Sequence, residues 1–245
     1  MQGPAGAPAI IFSNSLGATL EMWDEQARAL SGEWRVVRYD TRGHGRSEVL
    51  PGPYRLDDLA GDVIHVLDSL GIGRAHFCGL SLGAMTGLYL GVNHSERFGK
   101  LVVVAGGAKM GSLELWNSRI SGVLSAGVAS ISKSVIARWF SEDFIRREPE
   151  VVGRLEASLC RIPAQGYAGC CAALRDTDLE DRVARIPNRM LVVAGTYDPA
   201  FTADQCRALA IKLQHAEYTE LPTAHIVNVE ARQAFNDGLI AFLAS

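Results

Sequence analysis

The segment Gly79-Leu80-Ser81-Leu82-Gly83 sets a serine between two glycines, behind the apolar run Ala75-His76-Phe77-Cys78 and ahead of an apolar helical pattern starting Ala84-Met85. On a strand-to-helix turn such a serine is held in strained backbone that exposes its hydroxyl, and only glycine tolerates the close packing on either side. Ser81 is therefore placed as a nucleophile. The helix N-terminus behind it offers a positive dipole end and free N–H groups, so the N–H of Leu82 can face a developing oxyanion. The same five-residue pattern recurs as a plain turn in glycine-rich chains. The strand before it and the helix after it argue against that reading here.

A neutral serine hydroxyl is a poor nucleophile and needs a base and an orienting acid. Both follow along the chain. An apolar run ends in Gly195-Thr196-Tyr197-Asp198-Pro199, which puts Asp198 on a loop at the C-terminal edge of a sheet, where ligand sites form. A further strand is followed by Leu221-Pro222-Thr223-Ala224-His225, which brings His225 to a loop on the same edge. The plain alternatives are a helix cap for Asp198, given Pro199 and Thr202, and a surface loop histidine for His225. Asp176, Asp178 and Asp181 are other acids, but they precede the fifth strand. A second oxyanion donor is expected from the loop Ser13-Asn14-Ser15-Leu16-Gly17, as the N–H of Leu16, since an N–H requires no particular side chain; losing one such donor costs ~10² to 10³ in rate. Asp40 to Ser47 contains His44 and Arg42, which invite a base or an anion clamp. The stretch ends a strand and turns back sharply, so its glycines and paired charges are read as support for the fold.

Short apolar, β-branched runs alternate with helical patterns: Ala9 to Phe12, Arg35 to Tyr39, His76 to Cys78, Leu101 to Ala105, Met190 to Ala194 and Glu217 to Leu221. That rhythm predicts βαβ units and a mostly parallel sheet flanked by helices, an α/β fold. The helices are expected over Met22 to Leu30, Leu56 to Leu70 and Leu82 to Asn93, where apolar residues recur at spacings of three and four. About 80 residues separate the fourth strand from the fifth, too many for a simple crossover. Within them Leu113 to Leu124 and Ile131 to Phe140 have helical periodicity, which predicts a helical cap over the C-terminal edge of the sheet. The expected organisation is a core of residues 1–106 and 187–245 with a cap insertion at 107–186.

The bulk properties narrow the class. A chain of 245 residues, 48% hydrophobic and 21% charged, can bury the core of one α/β domain. Its net charge is −3 and its 24 Lys and Arg residues form no basic stripe, so no nucleic-acid partner is expected. The longest apolar stretches run to about five residues against the roughly 20 that span a bilayer, so no membrane segment is expected. The N-terminus lacks the pattern of a secretion signal, and a cytoplasmic location is the expectation. The five cysteines show no CxxC spacing and read as reduced structural thiols. The six histidines have no ligand spacing with one another or with cysteines, so no metal and no organic cofactor are expected.

Taken together these segments resemble the 3-oxoadipate enol-lactonases of the α/β-hydrolase superfamily, over nearly the whole chain. The order Ser81, Asp198, His225 is the α/β-hydrolase order, shared widely and weak for substrate. The likeness is also carried by Ser13-Asn14-Ser15-Leu16-Gly17 with Met22-Trp23, the Tyr39-to-Ser47 turn, Arg138-Trp139-Phe140, Gly166-Tyr167-Ala168-Gly169-Cys170-Cys171-Ala172-Ala173 and Gly195-Thr196-Tyr197-Asp198-Pro199-Ala200, of which Asn14-Ser15-Leu16-Gly17 and Gly166-Tyr167-Ala168-Gly169-Cys170-Cys171 are the narrower. Two departures stand out. Members of the family begin with an antiparallel strand pair, whereas this chain starts almost directly at Pro8-Ala9-Ile10, so that edge hairpin is expected to be missing. Phe201-Thr202 stands where Thr-Pro is usual, a local change.

The resemblance implies a serine hydrolase that opens 3-oxoadipate enol-lactone through an acyl-enzyme on Ser81, in the β-ketoadipate pathway of aromatic degradation. The substrate is a small anionic lactone, for whose carboxylate Arg138 and Arg161 are candidates, with Trp139 against the ring or in the core. Carbon–carbon bond hydrolysis or general carboxylesterase action on the same fold is the alternative, because fold does not fix function. A non-enzymatic ligand receptor that keeps the triad is a further one. Dehalogenase and epoxide hydrolase chemistry is disfavoured, since both need an aspartate where Ser81 stands.

Overall fold

The computed structural model describes all residues, Met1 to Ser245. Six strands, β1 (Ala9–Ser13), β2 (Arg35–Arg38), β3 (Ala75–Leu80), β4 (Phe98–Val104), β5 (Met190–Gly195) and β6 (Ala216–Leu221), form one sheet in the order β2-β1-β3-β4-β5-β6. All five pairings are parallel. The residues of β1 and β5 are buried throughout, as continuous apolar runs must be in a sheet covered on both faces. The chain moves outward from β1 to β2 and then returns to place β3 on the other side of β1. That reversal opens a crevice beyond the C-terminal ends of β1 and β3, between Ser13 and Leu80, which is where ligands bind in such sheets.

The two faces are covered by different helices. Ile11 is in register with Phe77, so both point to one face, and there a Cβ on Gly87 of α3 (Leu82–Asn93) would lie 2.6 Å from the Phe77 ring. Helix α2 (Leu56–Ser69) packs on α3 through a stripe that buries Leu59, Ala60, Val63 and Leu67. Truncating a fully buried leucine such as Leu67 to alanine costs ~2–5 kcal/mol. Phe12 points to the opposite face, where its ring centroid is 4.8 Å from that of Trp23, and Trp23 in turn meets Phe235. Helix α1 (Asp24–Leu30) and the C-terminal helix α11 (Arg232–Ala244) pack together on that side.

Five helices lie between β4 and β5: α4 (Leu113–Ala126), α5 (Ser132–Trp139), α6 (Glu142–Arg147), α7 (Pro149–Cys160) and α8 (Ala164–Asp176). Two of them fall on the expected periodic stretches. Helix α8 does not announce itself by periodicity because it is buried nearly all round, from Gly166 to Leu174. Its glycines have a steric cause. A Cβ on Gly166 would lie 2.2 Å from the carbonyl oxygen of Gly43, and one on Gly169 would lie 2.7 Å from the Tyr54 ring. The helix therefore sits directly on the turn that follows β2. Two short elements complete the core, α9 (Ala203–Lys212) after β5 and α10 (Val227–Glu230) after β6.

No antiparallel hairpin precedes β1. Gln2 instead makes an isolated antiparallel bridge to Val36 at the β2 edge, with N–H···O distances of 3.0 and 2.8 Å. No helix is long and apolar enough to cross a membrane. The cysteines are all free; Cys160 is exposed and the other four are buried.

Candidate active site

Ser81 sits at the C-terminal end of β3 with φ 58° and ψ −109°, a conformation that costs a side-chain-bearing residue ~1–3 kcal/mol. The surrounding backbone imposes it. The Ser81 N–H donates to the Val104 carbonyl at 2.8 Å, the Ser81 carbonyl accepts from the Met85 N–H at 3.0 Å, and the Gly83 N–H donates to the Asn14 carbonyl at 3.1 Å. Both flanking glycines are required by close approach. A Cβ on Gly79 would lie 2.2 Å from the Gly83 carbonyl oxygen, and one on Gly83 would lie 2.3 Å from that of Ser13.

Asp198, beyond β5, and His225, beyond β6, meet at 2.7 Å through Oδ2 and Nδ1. Both are buried, at 4% exposure. The other oxygen, Oδ1, accepts the N–H groups of Ala200 at 2.7 Å and Phe201 at 3.1 Å, so the carboxylate has donors on both sides and acts as an acceptor. Nδ1 of His225 therefore carries the proton, and Nε2 presents a lone pair. Asp176 and Asp178 lie elsewhere, paired with Arg175 and Lys109 on the surface. Nε2 of His225 and Oγ of Ser81 have no partner in the chain, and no hydrogen bond closes between them. Such contacts in free enzymes are often long and tighten with substrate. The Ser81 and Asp198 loops are linked by packing: a Cβ on Gly106 would lie 2.9 Å from the Ser81 carbonyl oxygen, and one on Gly107 would lie 2.2 Å from the ring of Phe201.

The His225 loop is tied down on both sides. The Ala224 N–H donates to Glu230 Oε2 at 3.1 Å, and the Ile226 N–H donates to the Trp139 carbonyl at 2.9 Å. Glu230 also accepts from the Ser141 hydroxyl and N–H at the start of α6. One carboxylate thus joins the histidine loop to the helices inserted after β4. Sequence gives no signal for this role.

The N–H groups of the β1 loop can be accounted for one by one. That of Ser15 points to the Met22 sulfur at 3.5 Å, that of Gly17 donates to His44 Nε2 at 3.0 Å, and that of Ala18 donates to the Ser15 carbonyl at 3.1 Å. The N–H groups of Asn14 and Leu16 are left without a partner. In the Ser81 turn, Ser81 and Gly83 donate as described and Leu82 is left. The unpaired N–H of Leu82, next to Ser81, and that of Leu16, in the β1 loop, are buried donors of the kind a tetrahedral oxyanion needs.

His44 holds Gly17, the residue after Leu16. It is buried, its Nδ1–H donates to the Arg42 carbonyl at 3.2 Å, and burial lowers its pKa to about 4, so Nε2 stays an acceptor for Gly17. The charges around it are paired. Arg42 makes two 2.7 Å bonds to Asp62, and Asp40 accepts the N–H groups of Leu20 at 2.8 Å and Arg46 at 3.0 Å.

The inserted helices roof the β1 loop. From the position of a Cβ on Gly17, Leu159 Cδ1 is at 2.6 Å, Tyr167 Cε2 at 3.1 Å and Trp139 Cζ2 at 3.8 Å. Trp139 is buried, edge-on to Phe140, at the end of α5 beside half-buried Arg138. Arg161 is elsewhere. It caps the exposed C-terminus of α7 and lines an outer groove of about 930 Å³ with Arg154, Arg232, Glu21 and Asp24, which contains none of Ser81, Asp198 and His225.

Residues 8–231 match the α/β hydrolase fold family. Over 241 residues the chain is 41% identical to 3-oxoadipate enol-lactonase 2 of Acinetobacter baylyi, covering 98% of this chain and 90% of that protein. It is 34% identical over 246 residues to a putative carbamate hydrolase of Caulobacter segnis, covering 98% and 92%. The solved structure of an enol-lactonase from Burkholderia xenovorans LB400 is similar at a TM-score of 0.98 and 40% identity, covering 100% of this chain and 95% of that one.

Proposed function

Since the chain belongs to the α/β-hydrolase fold family and, within it, to the 3-oxoadipate enol-lactonases, we propose that it hydrolyses 3-oxoadipate enol-lactone to 3-oxoadipate, as a cytoplasmic step of the β-ketoadipate pathway. Ser81 is the nucleophile, His225 the general base and Asp198 the residue that orients the base. The inserted helices, residues 107–186, act as the cap that selects the substrate.

His225 Nε2 takes the hydroxyl proton as Ser81 Oγ bonds to the lactone carbonyl carbon. The oxyanion that forms is held by the N–H groups of Leu16 and Leu82. Collapse breaks the ring C–O bond and leaves an acyl ester on Ser81. The departing oxygen is that of an enolate, a good leaving group that asks little of a general acid; it takes up the proton held on His225 and becomes a ketone, which leaves His225 Nε2 free again. A water molecule then gives its proton to His225 and attacks the ester, which frees 3-oxoadipate and returns the proton to Ser81. Trp139, at the cap side of the β1 loop, packs against the bound ring.

The observation that carries this reading is the buried His225–Asp198 pair at 2.7 Å with Nε2 left free, on the same edge of the sheet as Ser81 in its strained turn. The test is a comparison of kcat/KM for the lactone, generated in situ, with a simple aryl ester and an N-substituted carbamate. The lactone is expected to lead by ~10² or more, the span that differential transition-state binding gives a matched substrate. Aryl ester turnover without lactone turnover would leave a general carboxylesterase, and preference for the carbamate would move the chain toward its Caulobacter relative.

A further inference from the structure

A buried polar strut runs between the helix that follows the β1 loop and the segment that follows His225. Gln26 of α1 and Asn228 of α10 are both fully buried. Gln26 Nε2 donates to the Asn228 carbonyl at 3.1 Å and to Asn236 Oδ1 at 2.7 Å, and Gln26 Oε1 accepts from Asn228 Nδ2 at 3.0 Å. Asn228 Nδ2 also donates to the Met22 carbonyl at 2.7 Å. A main-chain carbonyl faces each nitrogen, so neither amide can be turned over without setting oxygen against oxygen.

Both ends of the strut reach the site. At one end Met22 lies in the 3₁₀ turn Leu20–Trp23, and its sulfur takes the N–H of Ser15, the residue before Leu16, at 3.5 Å. Trp23 packs between Phe12 of β1 and Phe235 of α11, which seats that turn on the sheet. At the other end Asn228 stands three residues beyond His225, within α10. The ties of the histidine loop through Glu230 and Trp139 run to the inserted helices, whereas this one runs to the core. Asn228 Oδ1 is buried without a partner, and an unsatisfied buried oxygen opposes folding, so stability alone does not account for an asparagine here.

We infer that Gln26 and Asn228 are positioning residues, which hold the Leu16 loop and the His225 loop at the spacing that acylation of Ser81 requires. Neither touches the reacting atoms. Attack by Ser81 needs the base and the oxyanion donors in place at the same moment, and these come from loops after different strands. A relative displacement on the order of 1 Å costs ~10²-fold in rate even when it originates outside the site. The inference rests on the serine-hydrolase reading of Ser81, Asp198 and His225, and not on which ester is the substrate.

The experiment compares the wild type with Asn228→Ala, Gln26→Met and Asn236→Ala, with 4-nitrophenyl acetate and the enol-lactone as substrates and phenylboronic acid as inhibitor. Boron bonds to Ser81 Oγ as the hydroxyl proton passes to His225, and the tetrahedral anion so formed needs both loops in place. In Asn228→Ala and Gln26→Met, kcat is expected to fall ~10- to 10²-fold with KM little altered, at a temperature where circular dichroism shows each variant folded. The boronate inhibition constant should rise by a similar factor, which a loss of stability alone would not cause. Asn236→Ala removes a bond of the same network away from both loops, and should lower the melting temperature while leaving kcat and the boronate constant unchanged. Gln26→Met, which keeps the length of the stem, decides the matter if Asn228→Ala does not fold. Unchanged kcat and boronate inhibition in the folded variants, or equal losses in Asn236→Ala, overturn the positioning role. A wild type that turns over neither substrate and does not bind the boronate removes the triad reading and the role of the strut together, whereas normal turnover throughout removes the strut alone.

Discussion

The Nε2 atom of His44 accepts the N–H of Gly17 at 3.0 Å, which ties the turn after β2 to the loop after β1. The contact fixes the residue next to Leu16, whose N–H is proposed to face the oxyanion. Replacing His44 by phenylalanine keeps the volume and the stacking on Tyr167 but leaves the Gly17 N–H without an acceptor. We expect kcat to fall by ~10- to 10²-fold with a smaller change in KM, since a misplaced oxyanion donor weakens the transition state more than the ground state. A change confined to KM would show that His44 does not act through the loop. Steady-state kinetics on the lactone decide it.

The same burial makes His44 a source of acid sensitivity. Its pKa falls to about 4 in the fold against an unfolded value of about 6.5. Between those values the unfolded chain binds more protons than the native one, so stability is full above about pH 6.5 and declines as pH falls toward 4. His76, lowered to about 4 by burial and by the charges of Lys100 and Arg74, acts in the same direction. The His44 contribution is on the order of 3 kcal/mol across the window. Denaturant titrations at pH 7 and pH 4.5 should show the decline, and His44→Phe should make it shallower. An equally steep decline in the variant would assign the sensitivity to other groups.

Glu230 accepts hydrogen bonds from Ala224, in the histidine loop, and from Ser141, at the start of α6. Glu230→Ala releases both. The expected loss is ~1–3 kcal/mol of stability, the penalty of leaving buried donors unpaired, with a fall in kcat as His225 gains freedom. Thermal unfolding together with lactone kinetics tests this. Loss of stability with kcat unaltered would restrict Glu230 to holding the helices.

Gly166→Ala places a Cβ where the Gly43 carbonyl oxygen is 2.2 Å away and its Cα 2.5 Å away. Backbone must move to admit it, at ~1–3 kcal/mol, although alanine is the better helix former. Gly153→Ala on α7 meets nothing within 4 Å and should be neutral or stabilising. Melting temperatures of the two variants should therefore diverge, and similar values would remove the packing explanation for the Gly-Tyr-Ala-Gly segment.

The strands were the most legible part of the chain, because six short strand-like runs separated by helical patterns admit few arrangements other than a parallel sheet. Helices α2 and α3 were visible from the spacing of their apolar faces. Helix α8 was not, since a helix buried on every side has no polar face to set its period, and its two glycines reflect contacts with Gly43 and Tyr54 that are remote in sequence. Within the site, Ser81, Asp198 and His225 stand out because each follows a strand in a recognisable turn. Phe201-Thr202 departs from the usual pattern at little expense: Phe201 still donates its N–H to Asp198, and Thr202 caps α9 with Gln205 in a reciprocal pair. The contacts of His44 and Glu230 were illegible, as each rests on long-range partners without local spacing.

The most direct test of the account compares wild type and Ser81→Ala on 3-oxoadipate enol-lactone generated in situ, following the loss of its ultraviolet absorbance. The variant keeps the fold and both of the proposed oxyanion N–H groups but has no hydroxyl to acylate. The account predicts rapid loss in the wild type and a rate lower by ~10⁴ or more in the variant, as when a triad serine is removed. Equal rates in the two proteins, or a wild-type rate no faster than buffer, would contradict it.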